Sequence, residues 1–276
     1  MRIALTGGSG VVGTAIMEQA VARGDQIISV DRTRPATETA GVDYVVADLM
    51  DYEATLAAFR GADVLIHMAA IPAPFRDPDH VVHNNNVVSS YNALRSAIEL
   101  GITRICQASS VNAIGLSYSR APHFDYFPLD EEHPNYAEDA YSLSKWMCEA
   151  QADAFARRYC DLSIASLRFH WVVPDKATAA ANFNQPLPDR SKHLWGYTTR
   201  DAAARACLLA VDGKFTGHEV FYIVAPDTTH TRASANLASE HFPRVSIRSG
   251  LEGNTSFFSS GKAERILGWR HQVVHH

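Results

Sequence analysis

Lysine, cysteine and long apolar runs are all scarce in this chain, and each scarcity excludes something. Five lysines stand against twenty arginines in 276 residues, the first of them at position 145. No basic run gathers these cations and the net charge is −5, so no nucleic-acid partner is expected. No stretch approaches the roughly 18 apolar residues of a membrane span, which argues against a membrane partner. The four cysteines, Cys106, Cys148, Cys160 and Cys207, include no C-x-x-C pair. A disulfide framework or zinc knuckle is therefore not expected, and buried free thiols in a reducing compartment fit better. His80 and His83 share a helix face, yet no carboxylate or cysteine set accompanies them, so no metal site is expected. The start, Met-Arg and then a short apolar run, does not read as a secretory signal, and a cytoplasmic location is expected. There is no internal repeat and no low-complexity tract.

Hydrophobic residues make up 46% of the chain and charged residues 20%, enough for a well-filled core. Short apolar runs alternate with helical patterns. Strands are expected at Ile3–Thr6, Gln26–Asp31, Val42–Ala47, Ala62–Met68, Arg104–Ala108 and Leu162–Phe169. Helices are expected near Val11–Arg23, Asp51–Phe59, Asp79–Leu100 and Ala140–Tyr159. This alternation predicts right-handed βαβ units and an α/β fold with a doubly wound parallel sheet. The irregular segment Asn112–Asp139, rich in Pro, aromatic and acidic residues, is long enough to suggest a functional loop, and a partial lid is expected. After Pro174 the pattern weakens. A helix near Thr199–Val211, a strand at Val220–Val224 and short helices near Ala233–His241 and Lys262–Leu267 follow. The expected division is 1–170 for the sheet domain and 171–276 for a small lobe interleaved with the last strand.

The first strand runs directly into glycines at 7, 10 and 13. Such a turn lets the backbone approach a pyrophosphate, and the amides of the following helix start then face the phosphates. The position between a strand and a helix is the context this pattern needs. Asp31 ends the second strand 18 residues after Gly13, near the spacing for a carboxylate on an adenosine ribose. That favours NAD, while Arg32 beside it keeps NADP open, because an arginine can pair with a 2′-phosphate. Tyr141 and Lys145 are four apart, hence one turn apart on one face of a helix. An ammonium beside a phenol would lower the tyrosine pKa towards the range useful for acid/base work.

With Gly7, Gly10, Gly13, Asp31, Asp48-Leu49, His67-Met68-Ala69-Ala70, Asn86-Val87, Ser109-Ser110 and Tyr141/Lys145 in this order, the chain resembles the extended short-chain dehydrogenase/reductases. Their NAD-dependent epimerase/dehydratase branch is the nearest match, covering about residues 1–170. The resemblance implies a Rossmann-type fold. It also implies a catalytic set in which Tyr141 is the acid/base, Lys145 tunes it and holds the nicotinamide ribose, and Ser110 bonds the reacting oxygen. For the dinucleotide it implies Gly7, Gly10, Val11, Val12, Gly13, Asp31 and Arg32. Asp48 and Leu49 would flank the adenine, with Met68, Ala69, Ala70, Asn86 and His170 along the remainder, together with Tyr141 and Lys145. Helices like Asp79–Leu100 and Ala140–Tyr159 often form a dimer contact in this family, so a homodimer is expected. Within the branch, small uronate-dehydrogenase-like members look most similar, sharing the Ser109–Gly115 run and the Trp195-to-Asp201 spacing. The chain departs from them at Pro72, Val111-Asn112 and Trp171. Asn112, Trp171 and Trp195 are the candidate substrate residues, although Trp195 could instead fill the lobe. The expected reaction is hydride transfer between a nicotinamide and a hydroxyl or carbonyl of a small, sugar-like or sugar-acid substrate. The alternative is a sugar or nucleotide-sugar epimerase with no net redox change, and a non-enzymatic dinucleotide sensor is a third reading.

Overall fold

The computed structural model describes residues 1–184 and 190–272; residues 185–189, which include two prolines, and the last four residues lie outside this range. Seven parallel strands form the main sheet among the described residues. They are β1 (Arg2–Thr6), β2 (Gln26–Asp31), β3 (Val42–Val46), β4 (Val64–His67), β5 (Arg104–Ser110), β6 (Ser163–Phe169) and β7 (Gly217–Ile223), in the spatial order β7-β6-β5-β4-β1-β2-β3. The order reverses between β1 and β4, the place where ligands bind in doubly wound sheets. Every residue of β4 and β6 is buried, as expected of parallel strands covered on both faces.

Helices α1 (Val11–Ala22), α2 (Tyr52–Ala58), α3 (Asp79–Glu99) and α4 (Ala140–Arg158) follow within the first two-thirds of the chain. One face of the sheet is covered by α2, α3 and α4, burying Ala93, Leu94, Ala97, Ala152 and Phe155 against Leu65, Ile105 and Ile164. On the other face α1 meets α6 (Arg200–Asp212). The small side chains Ala202, Ala203 and Ala206 let α6 lie close to the strands. Trp269, just after α8 (Gly261–Leu267), closes this layer by donating its indole N–H to the Ala202 carbonyl at 2.9 Å. The chain after β6 therefore returns to the sheet through α6, through β7 and through α8 with Trp269.

A second core forms the lobe, with Val173, Phe183, Leu194, Trp195, Tyr197, Phe257 and Phe258 among its buried members. The middle of the Pro- and aromatic-rich segment 112–139 packs into this core, while Asn112, Ser117 and Tyr118 of the same segment line a cavity at the carboxyl ends of the strands. Phe124, Phe127 and Leu129 are buried there, and the Leu129 amide donates to the Phe257 carbonyl at 2.7 Å. Its aromatic side chains gain more by packing between 242 and 258 than by covering a cavity in water. The weakly patterned stretch after Pro174 contains α5 (Lys176–Phe183), capped by the Asp175 carboxylate accepting from the Thr178 amide at 2.8 Å. A helix of eight residues shows little periodicity, and its cap is the stronger signal. Helix α7 (Ser234–His241) also belongs to the lobe.

Candidate active site

A cavity of about 830 Å³ runs along the carboxyl ends of the strands and under the lobe. At one end, Gly7, Gly10 and Gly13 form the floor. A Cβ at Gly13 would stand 2.3 Å from the Gly7 carbonyl oxygen and 2.7 Å from the Gly8 Cα, and one at Gly7 would stand 2.8 Å from the Ala69 nitrogen. Only glycine allows the turn, the helix and the end of β4 to approach so closely. No side chain caps α1 at Gly10, so the first amides of the helix stay open to the cavity that Val11 and Val12 line. The Asp31 carboxylate lies beside the same turn, accepting from the Ser9 amide at 3.3 Å and the Arg32 amide at 2.8 Å.

Ser110, Tyr141 and Lys145 line the opposite part of the same cavity. Asp139 starts α4 by accepting the amides of Tyr141 and Ser142 at 3.0 and 2.9 Å. Residues 141, 145, 149 and 153 share the face turned to the sheet. Lys145 Nζ donates to the Ala108 carbonyl at 2.9 Å. Glu149 accepts from Ser109 at 2.5 Å and from Arg168 at 2.9 and 2.7 Å. Asp153 meets His218 Nδ1 at 2.7 Å, and His218 Nε2 lies 2.7 Å from Ser166 Oγ.

Burial pushes the Tyr141 phenol up, against an opposing interaction with the Ser110 hydroxyl, and nearby Tyr118 and Asp139 add to the rise. The spacing to Lys145 predicts the opposite shift. In the structure the ammonium is committed to the Ala108 carbonyl and lies 6.0 Å from the phenol ring centre. Lys145 itself is pushed down by burial, with Cys148 and Glu149 acting the other way. The resting phenol is thus firmly protonated and the ammonium is made easier to deprotonate.

Every candidate site residue lines this cavity except Asn86 and Trp195. Asn86 clamps the backbone after β4: its Oδ1 accepts the Ile71 amide at 2.8 Å, and its amide group donates to the Ile71 carbonyl and Ser144 Oγ, each at 3.1 Å. Trp195 is buried among His230, His241 and Phe257 in the lobe core, where its large apolar surface is better satisfied. Asn112 lines the cavity, with its Oδ1 engaged by the Ser117 amide and hydroxyl at 2.9 and 2.8 Å. Trp171 also lines it and remains 44% exposed, leaving an indole surface open to a ligand. The sequence reading missed Arg76, Tyr118, Phe183 and His193, which line the cavity together with Arg190. Tyr118 packs edge-on against Tyr141 with ring centres 5.7 Å apart.

A glycine turn, an uncapped helix start and an acid at the end of β2, all on one cavity, define a dinucleotide-binding α/β protein. The chain belongs to the NAD dependent epimerase/dehydratase family, whose model matches residues 3–185. A 2-alkyl-3-oxoalkanoate reductase of Stenotrophomonas maltophilia is 32% identical over 89% of this chain and 77% of its own length. An L-arabinose 1-dehydrogenase (NAD(P)(+)) of Haloferax volcanii is 30% identical over 62% of this chain and 67% of its own. Three uncharacterized mycobacterial proteins are 34% identical over 40% of this chain, and the match spans only 12% of their length. Among solved structures, a UDP-Glc/GlcNAc 4-epimerase of Campylobacter jejuni superposes with a TM-score of 0.75 over 99% of this chain and 95% of its own. At 17% identity this likeness establishes the fold.

The residues present fit the family's dinucleotide. The close-packed turn, the open amides of α1 and the Asp31 carboxylate suit a diphosphate and a ribose diol.

The buried histidines set an acid limit to stability. Burial lowers His67 and His170 to about 3. His193 and His271 are lowered, again mainly by burial, to about 4. Each folded value lies below the ordinary 6.5, so the unfolded chain binds more protons in that interval. Their contribution is complete above about pH 6.5 and is lost progressively as the pH falls towards 3–4. Thermal unfolding across this range should show a midpoint that falls steadily below about pH 6.5. A midpoint constant down to about pH 4 would contradict the assignment.

Proposed function

We propose that this protein is an NAD(P)-dependent oxidoreductase, with NAD favoured, acting on a hydroxyl or carbonyl of a small, sugar-like or sugar-acid substrate. The observation that carries this reading is the single cavity shared by the open start of α1 and by Ser110, Tyr141 and Lys145. Val11, Val12 and the glycines would hold the diphosphate, Asp31 the adenosine ribose, and Lys145 with Tyr141 the nicotinamide ribose. When bound, the nicotinamide supplies the hydride donor or acceptor.

In the reducing direction the protonated Tyr141 phenol gives its proton to the substrate oxygen, which is the form burial favours. The Ser110 hydroxyl donates a hydrogen bond to the same oxygen as negative charge develops there. In the oxidising direction the Tyr141 phenol would first give its proton to solvent and then take the proton of the substrate hydroxyl, and the Lys145 ammonium, with two donors beyond the one on Ala108, would favour the phenolate. Trp171 and Phe183 offer flat apolar faces, and Asn112, Ser117 and Asn182 offer polar groups suited to hydroxyls. Arg76 and Arg190 would favour an acidic substituent. A cytoplasmic location accords with the four free cysteines.

The test is nicotinamide absorbance during incubation with NAD or NADP and a panel of aldoses, hexuronates, sugar nucleotides and 2-alkyl-3-oxoalkanoates. A net change with one class is expected. NAD that co-purifies, with turnover but no net change, would favour the epimerase instead. Tyr141→Phe should lose roughly 10²–10⁴-fold in turnover. Turnover unchanged in that variant would exclude the assigned acid/base.

The same reading takes the protein as a homodimer. Helices α3 and α4 pack side by side and leave Val88, Tyr91, Leu143 and Trp146 exposed, an apolar surface of the kind covered in homodimers. Light scattering at micromolar concentration should give the mass of two chains, and Tyr91→Asp combined with Trp146→Asp should give one. A one-chain mass for the unaltered protein would refute the dimer.

A further inference from the structure

His170 follows β6 directly and is almost wholly buried where the sheet meets the lobe. Both ring nitrogens are used. The Trp171 amide donates to Nδ1 at 2.7 Å, so Nδ1 accepts. Nε2 lies 2.9 Å from the His193 carbonyl oxygen and must donate. One ring proton, on Nε2, satisfies both contacts. The His170 amide donates to Thr198 Oγ1 at 3.2 Å, and that hydroxyl donates to the Ile223 carbonyl at 2.5 Å, the end of β7. His170 thus joins two strand ends to the turn at 190–197.

That turn is held tightly. Leu194 and Trp195 both have φ of 50°, unusual for two successive side-chain-bearing residues, and their side chains are buried in the lobe. A Cβ at Gly196 would stand 2.8 Å from the His170 ring. His193 stacks on Phe183 with ring centres 4.5 Å apart, and both line the cavity together with Arg190.

We infer that His170 is a positioning residue for substrate selection: bridging the Trp171 amide and the His193 carbonyl, it fixes Phe183, Arg190 and His193 as the substrate-side wall facing Tyr141. The inference rests on reading this cavity as the substrate site. His170 acts through the wall and transfers no proton.

The test compares His170→Phe, which keeps a ring without the donor, His170→Gln, which keeps a donor, and Gly196→Ala, which crowds the same contact from the other side. Amide exchange of residues 190–197 should accelerate at least about tenfold in His170→Phe and Gly196→Ala and return towards normal in His170→Gln, with α1 and α4 unchanged. In Gly196→Ala, which leaves every dinucleotide candidate in place, NAD affinity should stay within about twofold, while KM for whichever panel compound turns over rises about tenfold or more and kcat changes less. Normal exchange in both disruptive variants would overturn the inference. So would a loss of NAD affinity in Gly196→Ala as large as the KM change. If the unaltered protein turns over no panel compound, the functional reading fails, while the exchange comparison still decides the role of His170.

Discussion

The buried ion pair between Glu149 and Arg168 is the interaction on which the rest of this site depends. Two charges removed from water are tolerable only with excellent geometry and no unmet hydrogen bonds. Here both carboxylate oxygens and two guanidinium nitrogens are engaged, Ser109 bonds the same carboxylate, and the Tyr222 ring lies 5.3 Å from the guanidinium carbon. Burial works against the Arg168 charge, yet the Glu149 carboxylate outweighs it and raises the arginine pKa. Breaking such a pair from one side leaves an uncompensated charge and costs roughly 3–5 kcal/mol. Because Glu149 lies one turn beyond Lys145 and two beyond Tyr141, the pair sets the rotation of α4 on the sheet. With Asp153 tied to His218 and Lys145 to Ala108, one helix face is fixed at three levels, and Tyr141 is aimed at the cavity as a result.

Chemistry then divides along the cavity. The carboxylates among its described lining residues, Asp31 and Asp48, belong to the end near the glycine turn, whereas Arg76 and Arg190 line it with the aromatic groups Tyr118, Trp171 and Phe183. A molecule with a ribose diol at one end and an acidic or hydroxylated substituent at the other would find complementary groups at both. The protonation states complete this arrangement. A firmly protonated phenol is ready to give a proton to a developing alkoxide. The Lys145 ammonium is held by a backbone carbonyl through one donor and keeps two beyond it.

Much of this was legible because backbone geometry leaves few choices. The glycine turn must be glycine where a Cβ would meet a carbonyl oxygen at 2.3 Å, so sequence and structure agree on Gly13. The strand–helix alternation similarly placed β1 to β6 within one or two residues, since buried parallel strands such as β4 and β6 have a strong apolar signature. Features decided by tertiary packing were not legible. Trp195 and the aromatics of 124–129 could equally have lined a pocket or filled a core, and only the lobe's assembly makes them core. Tyr118, Phe183 and His193 come from three separate segments with no shared motif. The direction of the Tyr141 shift was not legible either, because spacing gives proximity to Lys145, whereas burial, with nearby Tyr118 and Asp139, raises the phenol.

The central claim is that one cavity places a dinucleotide and Tyr141 together. A crystal structure of the protein grown with NAD tests it most directly. The account predicts one dinucleotide along the cavity, its diphosphate against Val11 and Val12, its adenosine ribose at Asp31 and its nicotinamide end at Lys145 and Tyr141. NAD bound elsewhere, or bound here with its nicotinamide directed away from Tyr141, would contradict it.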